Sequence, residues 1–214
     1  VQTCALPILK NSSSGNSYEL AQYEGEFRQG RREGKGTMVW GDGTTFEGLW
    51  KSDMRKHGKL IMANNFVYIG SFIRDLINGP NETLLTPNMP IYQGEFFNCK
   101  TKPVGMLLYH DGSVYYGQHE QFIRSGIGKR IQFDKSFQEG KWEQDKLNGP
   151  ACRVFDAATG NVYQGAIDND KWVGYGKLFE KAKEEVYEGD FQNNKKHGEG
   201  IIYKRNGKVT KYTF

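Results

Sequence analysis

The residue types that most often carry chemistry are few in this chain, and a repeating pattern explains where they lie. Two of the four histidines, His57 and His197, occur in the same Lys-His-Gly tripeptide, while His119 takes a position that is otherwise aromatic. No serine or cysteine lies at a spacing from a base that would activate it as a nucleophile. We therefore interpret the histidines as structural and predict no catalytic residue.

Three further groups also favour a structural interpretation. The segment Gly126-Ile-Gly128-Lys129 lacks the GxxxxGK[ST] spacing of a phosphate-binding loop. Asp168 and Asp170 lie in a predicted hairpin loop, where aspartate is a common turn former. The widely spaced cysteines, none in a CxxC pair, are Cys4, Cys99 and Cys152. They do not indicate a zinc site. The sequence thus predicts no enzyme, metal site, cofactor or small-molecule substrate.

The composition restricts both the fold and the partners. Glycine is abundant (27 residues), proline is scarce (6 residues), and aromatic residues make up 14% of the chain. Such a chain can bury surface, and its glycines favour short strands joined by tight turns. The net charge of +4 is too small to predict binding to nucleic acid. No run approaches the ~20 apolar residues that a membrane-spanning helix needs.

The chain is organised as a tandem repeat. Each repeat begins with aromatic-x-Gly-x-aromatic, as in Tyr23-x-Gly25-x-Phe27, and Gly-x-Gly follows at a fixed distance, as at Gly34 and Gly36. The leading positions, 22 to 25 residues apart, are Tyr23, Phe46, Tyr68, Tyr92, Tyr115, Gln138, Tyr163 and Tyr187. Eight occurrences at a nearly constant step indicate a repeat architecture.

Each repeat is predicted to form one β-hairpin. Alternate residues of a strand share a face, so the aromatic, glycine and aromatic positions lie on one side of the sheet. Glycine within a strand indicates a close approach, and we predict that the ring of the next repeat covers it. Turn signals such as Asp42-Gly43 join successive repeats. The predicted fold is all-β: a single-layer, elongated antiparallel meander of about eight hairpins, or sixteen strands.

The N-terminal segment is predicted to lie outside this array. Residues 1–8 resemble the translation of a common DNA sequencing adapter, and Lys10 to Ser17 reads as a polar linker. We interpret residues 1–17 as a linker or a non-native segment that packs weakly. Natural processing or trimming is the alternative origin.

The repeat resembles the MORN (membrane occupation and recognition nexus) repeat, Tyr-x-Gly-x-(Trp/Phe)-x-x-Gly-x-x-x-Gly-x-Gly. The segment from Tyr23 to Gly36 matches every marked position, and Tyr187 to Gly200 matches all except Asn194. The resemblance covers residues 23 to about 205. It implies an array over residues 18–214 that ends in a capping strand at 207–214. The departures are Gln138 at the leading aromatic, His119 and Ile167 at the second aromatic, and Lys59 and Asn81 at the second glycine.

The resemblance implies a non-catalytic scaffold or assembly subunit with a long protein-binding surface. Members of the family include radial spoke components of cilia, junctional proteins that link membranes, and cytoskeletal scaffolds. The expected location is therefore intracellular, in the cytoplasm, the cytoskeleton or a cilium. Two alternatives stay open: a membrane-tethering module that binds anionic lipids, and the regulatory array of a larger enzyme.

We predict that a protein partner docks on the aromatic face. Irregular middle repeats, and a connection at Thr86–Pro90 that is expected to be lengthened, would fix the register of docking. The predicted anchors are Phe72, Phe96, Tyr116 and Trp142. Large exposed aromatic side chains are preferred at protein interfaces.

The predicted hairpin loops carry an excess of basic residues. They hold 14 of the 29 lysines and arginines, with most of the excess in the first four repeats. The candidates for binding an anionic partner or lipid are Arg28, Arg31, Arg32, Lys51, Arg55 and Lys56. The alternative is that these loops are charged only because they are solvated.

Overall fold

The computed structural model describes residues 22–214. The predictions for residues 1–17 lie outside the described residues. These described residues form two compact units that divide between Leu107 and Leu108. Nearly all of the regular structure is antiparallel strand, which confirms the predicted all-β meander.

The first unit is an antiparallel meander in which the first strand of the third repeat pairs with both halves of a broken second strand. Its strands are β1 (Gln22–Arg28), β2 (Arg31–Val39), β3 (Thr45–Lys51), β4 (Met54–Ile61), β5 (Val67–Ile73), β6 (Leu76–Ile77), β7 (Gly79–Leu85), β8 (Ile91–Phe97) and β9 (Lys100–Leu108), which ends at the boundary between the units.

The second unit continues the same arrangement, with one 3₁₀ turn at Lys181–Lys183. Its strands are β10 (Val114–Glu120), β11 (Ile123–Ile131), β12 (Phe137–Glu143), β13 (Lys146–Leu147), β14 (Gly149–Asp156), β15 (Asn161–Asp168), β16 (Lys171–Glu180), β17 (Glu185–Gln192), β18 (Lys195–Lys204) and β19 (Val209–Thr213).

The strands number 19 within residues 22–214, rather than sixteen, for two reasons. The second strands of the third and sixth repeats are each broken in two, just before Gly79-Pro80 and Gly149-Pro150. Proline has no N–H to donate to the ladder, so pairing is interrupted there. The additional strand β19 has the geometry of the first strand of a ninth repeat, because Phe214 packs on Tyr187 with ring centroids 5.4 Å apart.

The leading aromatic residues share one face within each unit, as predicted; we call it the aromatic face. In the first unit, directly paired residues carry this row from strand to strand. The row runs through Tyr23, Met38, Phe46, Leu60, Tyr68, Leu84 and Tyr92. In the second unit it runs through Tyr115, Arg130, Gln138, Val154, Tyr163, Leu178 and Tyr187. Directly paired residues lie on the same face of a sheet, so each unit buries one aromatic face.

The glycine backbone is covered from two sides. The tyrosine ring of the same repeat lies on it, and a ring of the next repeat also contacts it, since the Trp50 Nε1 donates to the Gly36 carbonyl at 3.1 Å. A Cβ added at Gly36 would overlap the Tyr23 ring, and one added at Gly128 would overlap the Tyr115 ring. The Tyr115 hydroxyl donates a hydrogen bond to the Gln118 carbonyl at 2.7 Å. Each ring is thus fixed over its own hairpin.

The glycine pairing also corrects the alignment of two irregular repeats. Gly58 pairs with Gly48 and Gly70, so it takes the second-glycine position that the sequence pattern assigned to Lys59. In the third repeat Glu82, rather than Asn81, pairs with Gly94. The segment 86–90 has five residues, like the connections 40–44 and 109–113, and is not a lengthened loop.

Candidate functional site

Three of the four predicted anchors are buried on the aromatic face. Phe72, Phe96 and Trp142 are at most 3% exposed. Phe72 packs edge-to-face on Tyr68 and Phe96 does the same on Tyr92, each with ring centroids 5.3 Å apart. The Trp142 Nε1 donates to the Gly128 carbonyl at 3.0 Å. These side chains stabilise the sheet, and their role as docking anchors stays a prediction.

The fourth anchor lies on the other side. Tyr116 follows the leading residue Tyr115, and its side chain is 51% exposed on the face opposite the aromatic face. The structure therefore does not bring the four predicted anchors together on one accessible face.

Two of the predicted basic residues connect successive hairpins. The Arg55 guanidinium donates from Nε to Asp75 Oδ1 at 2.8 Å and from Nη2 to Asp75 Oδ2 at 2.9 Å. It also covers the Phe72 ring, 4.7 Å from its centroid. Arg32 makes the equivalent contact with Asp53 and lies 4.4 Å from the Trp50 centroid. Hydrogen bonds from Arg32, foremost from its backbone N–H, hold the pKa of Asp53 below its usual range.

This Arg–Asp contact, which we call the hairpin clamp, occurs a third time between Arg124 and Asp145 in the second unit. The aspartates occupy the second position of two-residue turns, where φ is +66° to +67°. These are type I′ turns, whose twist suits antiparallel hairpins. The clamp was missed in the sequence because its partners are 20 or 21 residues apart.

The other four basic residues of the predicted set are differently placed. Arg28, Arg31 and Lys51 are exposed, and Lys56 is half-buried. Among residues 22–214, none of the four forms an ion pair with a carboxylate. Arg28 lies directly opposite Arg31 on the β1–β2 hairpin, on the face opposite the aromatic face. Like charges at directly paired positions repel each other, so an anion at this corner would be stabilised.

The second unit exposes a continuous line of apolar side chains that the sequence reading missed. It lies on the face opposite the aromatic face, and each residue pairs directly with the next. This apolar row consists of Val114, Ile131, Phe137, Phe155, Val162, Phe179, Val186, Tyr203 and Val209. Phe179, Tyr203 and Val209 are 38 to 58% exposed, and the other six are half-buried. The signal in the sequence was the residue before each leading position, which is apolar in six of eight repeats.

A line of mostly polar residues runs beside the apolar row on the same face. This charged row consists of Tyr116, Lys129, Glu139, Arg153, Gln164, Lys177, Glu188, Ile201 and Lys211. Its two glutamates are each paired with a lysine of the row: Lys129 with Glu139 at 3.5 Å, and Lys177 with Glu188 at 3.1 Å. The row therefore carries a net positive charge.

We also searched residues 22–214 for titratable groups, metal-binding clusters and membrane-spanning helices. His119 is buried in the second-aromatic position, and burial lowers the pKa of its imidazole. No group of three or more His, Cys, Asp or Glu side chains among residues 22–214 could hold a metal ion. Over the same residues, no helix is long and apolar enough to span a membrane.

Comparison with known proteins supports the repeat assignment. Residues 23–45 and 187–209 each match the family model described as MORN repeat. These segments begin at the leading residues of the first and eighth repeats. Each of these two segments is therefore a MORN-type repeat, and such repeats form scaffolds that are generally non-catalytic.

No curated protein matches the chain significantly. One similar solved structure is the TCP domain of Drosophila melanogaster SAS-4 (dCPAP) in complex with a proline-rich motif of Ana2 (dSTIL). It is 8% identical, the alignment covers 97% of this chain and 99% of that one, and the TM-score is 0.36. A streptogramin B lyase is 11% identical over 85% of this chain and 62% of that one, with a TM-score of 0.20. Both TM-scores are below 0.5, so nothing is inferred from either structure.

Proposed function

We propose that this chain, which carries MORN repeats, is a non-catalytic scaffold that binds other proteins through the face opposite the aromatic face. The observation that carries the proposal is the apolar row of the second unit, which crosses every strand from β10 to β19 except the short β13. A sheet face that serves only solubility is expected to be polar at these positions. Contiguous exposed apolar surface is typical of interaction sites.

The more specific form of the proposal is a subunit of a ciliary or cytoskeletal assembly, located inside the cell. Its support is the MORN resemblance alone. The test is gentle lysis of the source cells, chemical cross-linking, and fractionation by size with detection of the endogenous chain. We expect the chain in a large complex whose cross-linked subunits are axonemal or cytoskeletal. Migration of the endogenous protein as a free monomer would overturn the scaffold function, and a catalytic domain in the same full-length transcript would favour the regulatory-array alternative.

A second candidate function, binding to anionic membranes, is favoured by one observation. Arg28 and Arg31 face each other without carboxylate partners among the described residues, and Lys51 is exposed in the next hairpin. Basic side chains near an anionic surface contribute about 1 kcal/mol each at low salt.

The membrane function is tested by flotation with phosphatidylserine vesicles. If it holds, Arg28→Glu/Arg31→Glu/Lys51→Glu abolishes salt-sensitive flotation, while the matched triple Lys171→Glu/Lys195→Glu/Lys208→Glu leaves it unchanged. Arg32 and Arg55 are kept intact because their substitution would also break hairpin clamps. Equal loss of flotation in both triples would show that only total charge matters.

A further inference from the structure

We propose that the apolar row of the second unit binds an amphipathic helix of a partner protein, with an acidic flank of that helix lying along the charged row. This inference deepens the proposed scaffold function and rests on it. It specifies the secondary structure, the length and the charge of the segment that is bound.

The spacing of the apolar row favours a helix that crosses the strands. Neighbouring strands are ~4.8 Å apart, whereas one helical turn rises 5.4 Å. A helix laid along the row therefore presents one apolar side chain to roughly each strand. In an extended peptide, side chains on one face are ~6.8 Å apart. This spacing differs more from the strand spacing, so fewer of its side chains would lie over a residue of the row.

The length of the row sets the length of the helix. Nine residues on nine successive strands span about 38 Å, which corresponds to about 25 helical residues. An amphipathic helix of that length places six or seven apolar turns on the sheet, the helix-in-groove mode of recognition.

The charges beside the apolar row determine which charge the adjoining flank of the helix must carry. Since both glutamates of the charged row are paired with lysines, Arg153 and Lys211 are the cations of the row without an ion-pair partner among residues 22–214. Both are exposed. Carboxylates on the adjoining flank of the helix would pair with them, while a basic flank would be repelled.

The apolar row also fits a protein better than a lipid surface. Two of its cationic neighbours lie over a ring of the row: Lys129 Nζ is 4.1 Å and Arg153 Cζ is 5.6 Å from the Phe137 centroid. At Phe137 the apolar row is therefore flanked by cationic groups, and a helix with an acidic flank would place carboxylates beside them.

The test uses the whole chain and a fluorescein-labelled synthetic helix of about 25 residues. The peptide has leucine along one stripe, glutamate along one flank, and alanine and glutamine elsewhere. A permuted peptide of the same composition and a peptide with lysine in place of glutamate serve as comparators. By fluorescence anisotropy we expect the designed helix to bind about tenfold more tightly than either comparator.

The variants distinguish the row from the rest of the surface. Phe179→Asp/Tyr203→Asp should weaken binding of the designed helix about tenfold or more. The matched control, Phe133→Asp/Ile127→Asp, changes side chains that are 81% and 64% exposed but lie outside the row, and should leave binding unchanged. Arg153→Glu/Lys211→Glu should weaken binding of the peptide with the glutamate flank and strengthen binding of the peptide with the lysine flank.

Several outcomes would overturn the inference. These are equal binding of the designed and permuted peptides, equal loss in the row and control variants, or row-dependent binding to phosphatidylserine vesicles without binding of the helix. If Phe179→Asp/Tyr203→Asp loses its strand circular-dichroism signal, the row is tested instead with the photo-cross-linking residue benzoylphenylalanine at position 179. That probe should cross-link the helix, and the same probe at position 133 should not. These assays could fail although the endogenous chain is recovered in a protein complex. That result would contradict this inference but would still support the scaffold function.

Discussion

The guanidinium of Arg124 and the carboxylate of Asp145 join two successive hairpins of the second unit. Arg124 donates to Asp145 Oδ1 from both its backbone N–H and its Nε, each at 2.9 Å. The Arg124 side chain is only 10% exposed, and its guanidinium lies 4.3 Å from the Trp142 centroid. This hairpin clamp therefore combines an ion pair with a covered aromatic ring.

Replacing Arg124 by alanine is expected to lower the free energy of unfolding by about 2 kcal/mol, because charged hydrogen bonds and ring packing are lost together. Urea denaturation followed by tryptophan fluorescence measures the change. The control is Lys146→Ala, at an exposed side chain nearby, which should change stability by less than about 0.5 kcal/mol. A similar decrease in the free energy of unfolding in both variants would show that the hairpin clamp does not stabilise the fold.

The glycine at position 128 is required by the Tyr115 ring. A methyl group there would overlap the ring, so Gly128→Ala should cost about 3 kcal/mol of stability through overpacking. Gly207→Ala is the comparison, since nothing lies within 4 Å of a Cβ at that position and only its φ of +82° opposes the substitution. Gly207→Ala should lower the free energy of unfolding by only about 1 kcal/mol. The steric explanation fails if thermal melts show the two losses to be equal.

Gln138 and Cys152 form a compensating pair in the sixth repeat. Gln138 stands where other repeats have a ring, and a Cβ at Gly140 would lie 2.7 Å from Cys152 Sγ. The thiol thus lies over the glycine that the leading ring covers in the regular repeats. We expect Gln138→Tyr alone to destabilise the fold, and Gln138→Tyr/Cys152→Gly to recover stability with a coupling of about 1–3 kcal/mol. A double-mutant cycle measures the coupling, and Ala151→Gly in place of Cys152→Gly should show none.

Buried tyrosines should make the fold sensitive to alkali. Burial raises the pKa of Tyr92, Tyr115 and Tyr163 to about 12. Above pH 10 the unfolded chain loses these protons before the folded chain does, so stability is intact below pH 10 and falls as the pH rises toward 12. The fall in urea midpoint should be shallower in Tyr115→Phe, which loses one such hydroxyl. Completion of the tyrosine absorbance titration near pH 10 in the folded protein would contradict this prediction.

The hairpin repeat could be predicted from the sequence because it depends on local pattern. Alternating aromatic and glycine residues from Tyr23 to Phe27 identify a strand face, and Asp42-Gly43 identifies a turn. Both signals act over a few residues, where side-chain alternation and backbone φ preferences dominate. The positions of Gly58 and Glu82 could not be read in this way, because bulges and Gly-Pro breaks shift the register without changing the spacing of the leading residues.

The candidate surfaces were less predictable because they depend on which residues meet across strands. The sequence by itself determined the repeat, the all-β class and the face on which the rings of each unit lie. Tertiary structure decided that Arg55 lies on Phe72 and is not a free cation, that Trp142 is buried, and that Phe179 and Tyr203 belong to one exposed row. The physical reason is that burial and charge pairing are set by cross-strand neighbours about 20 residues apart, and a linear pattern does not specify those neighbours until the register of every hairpin is fixed.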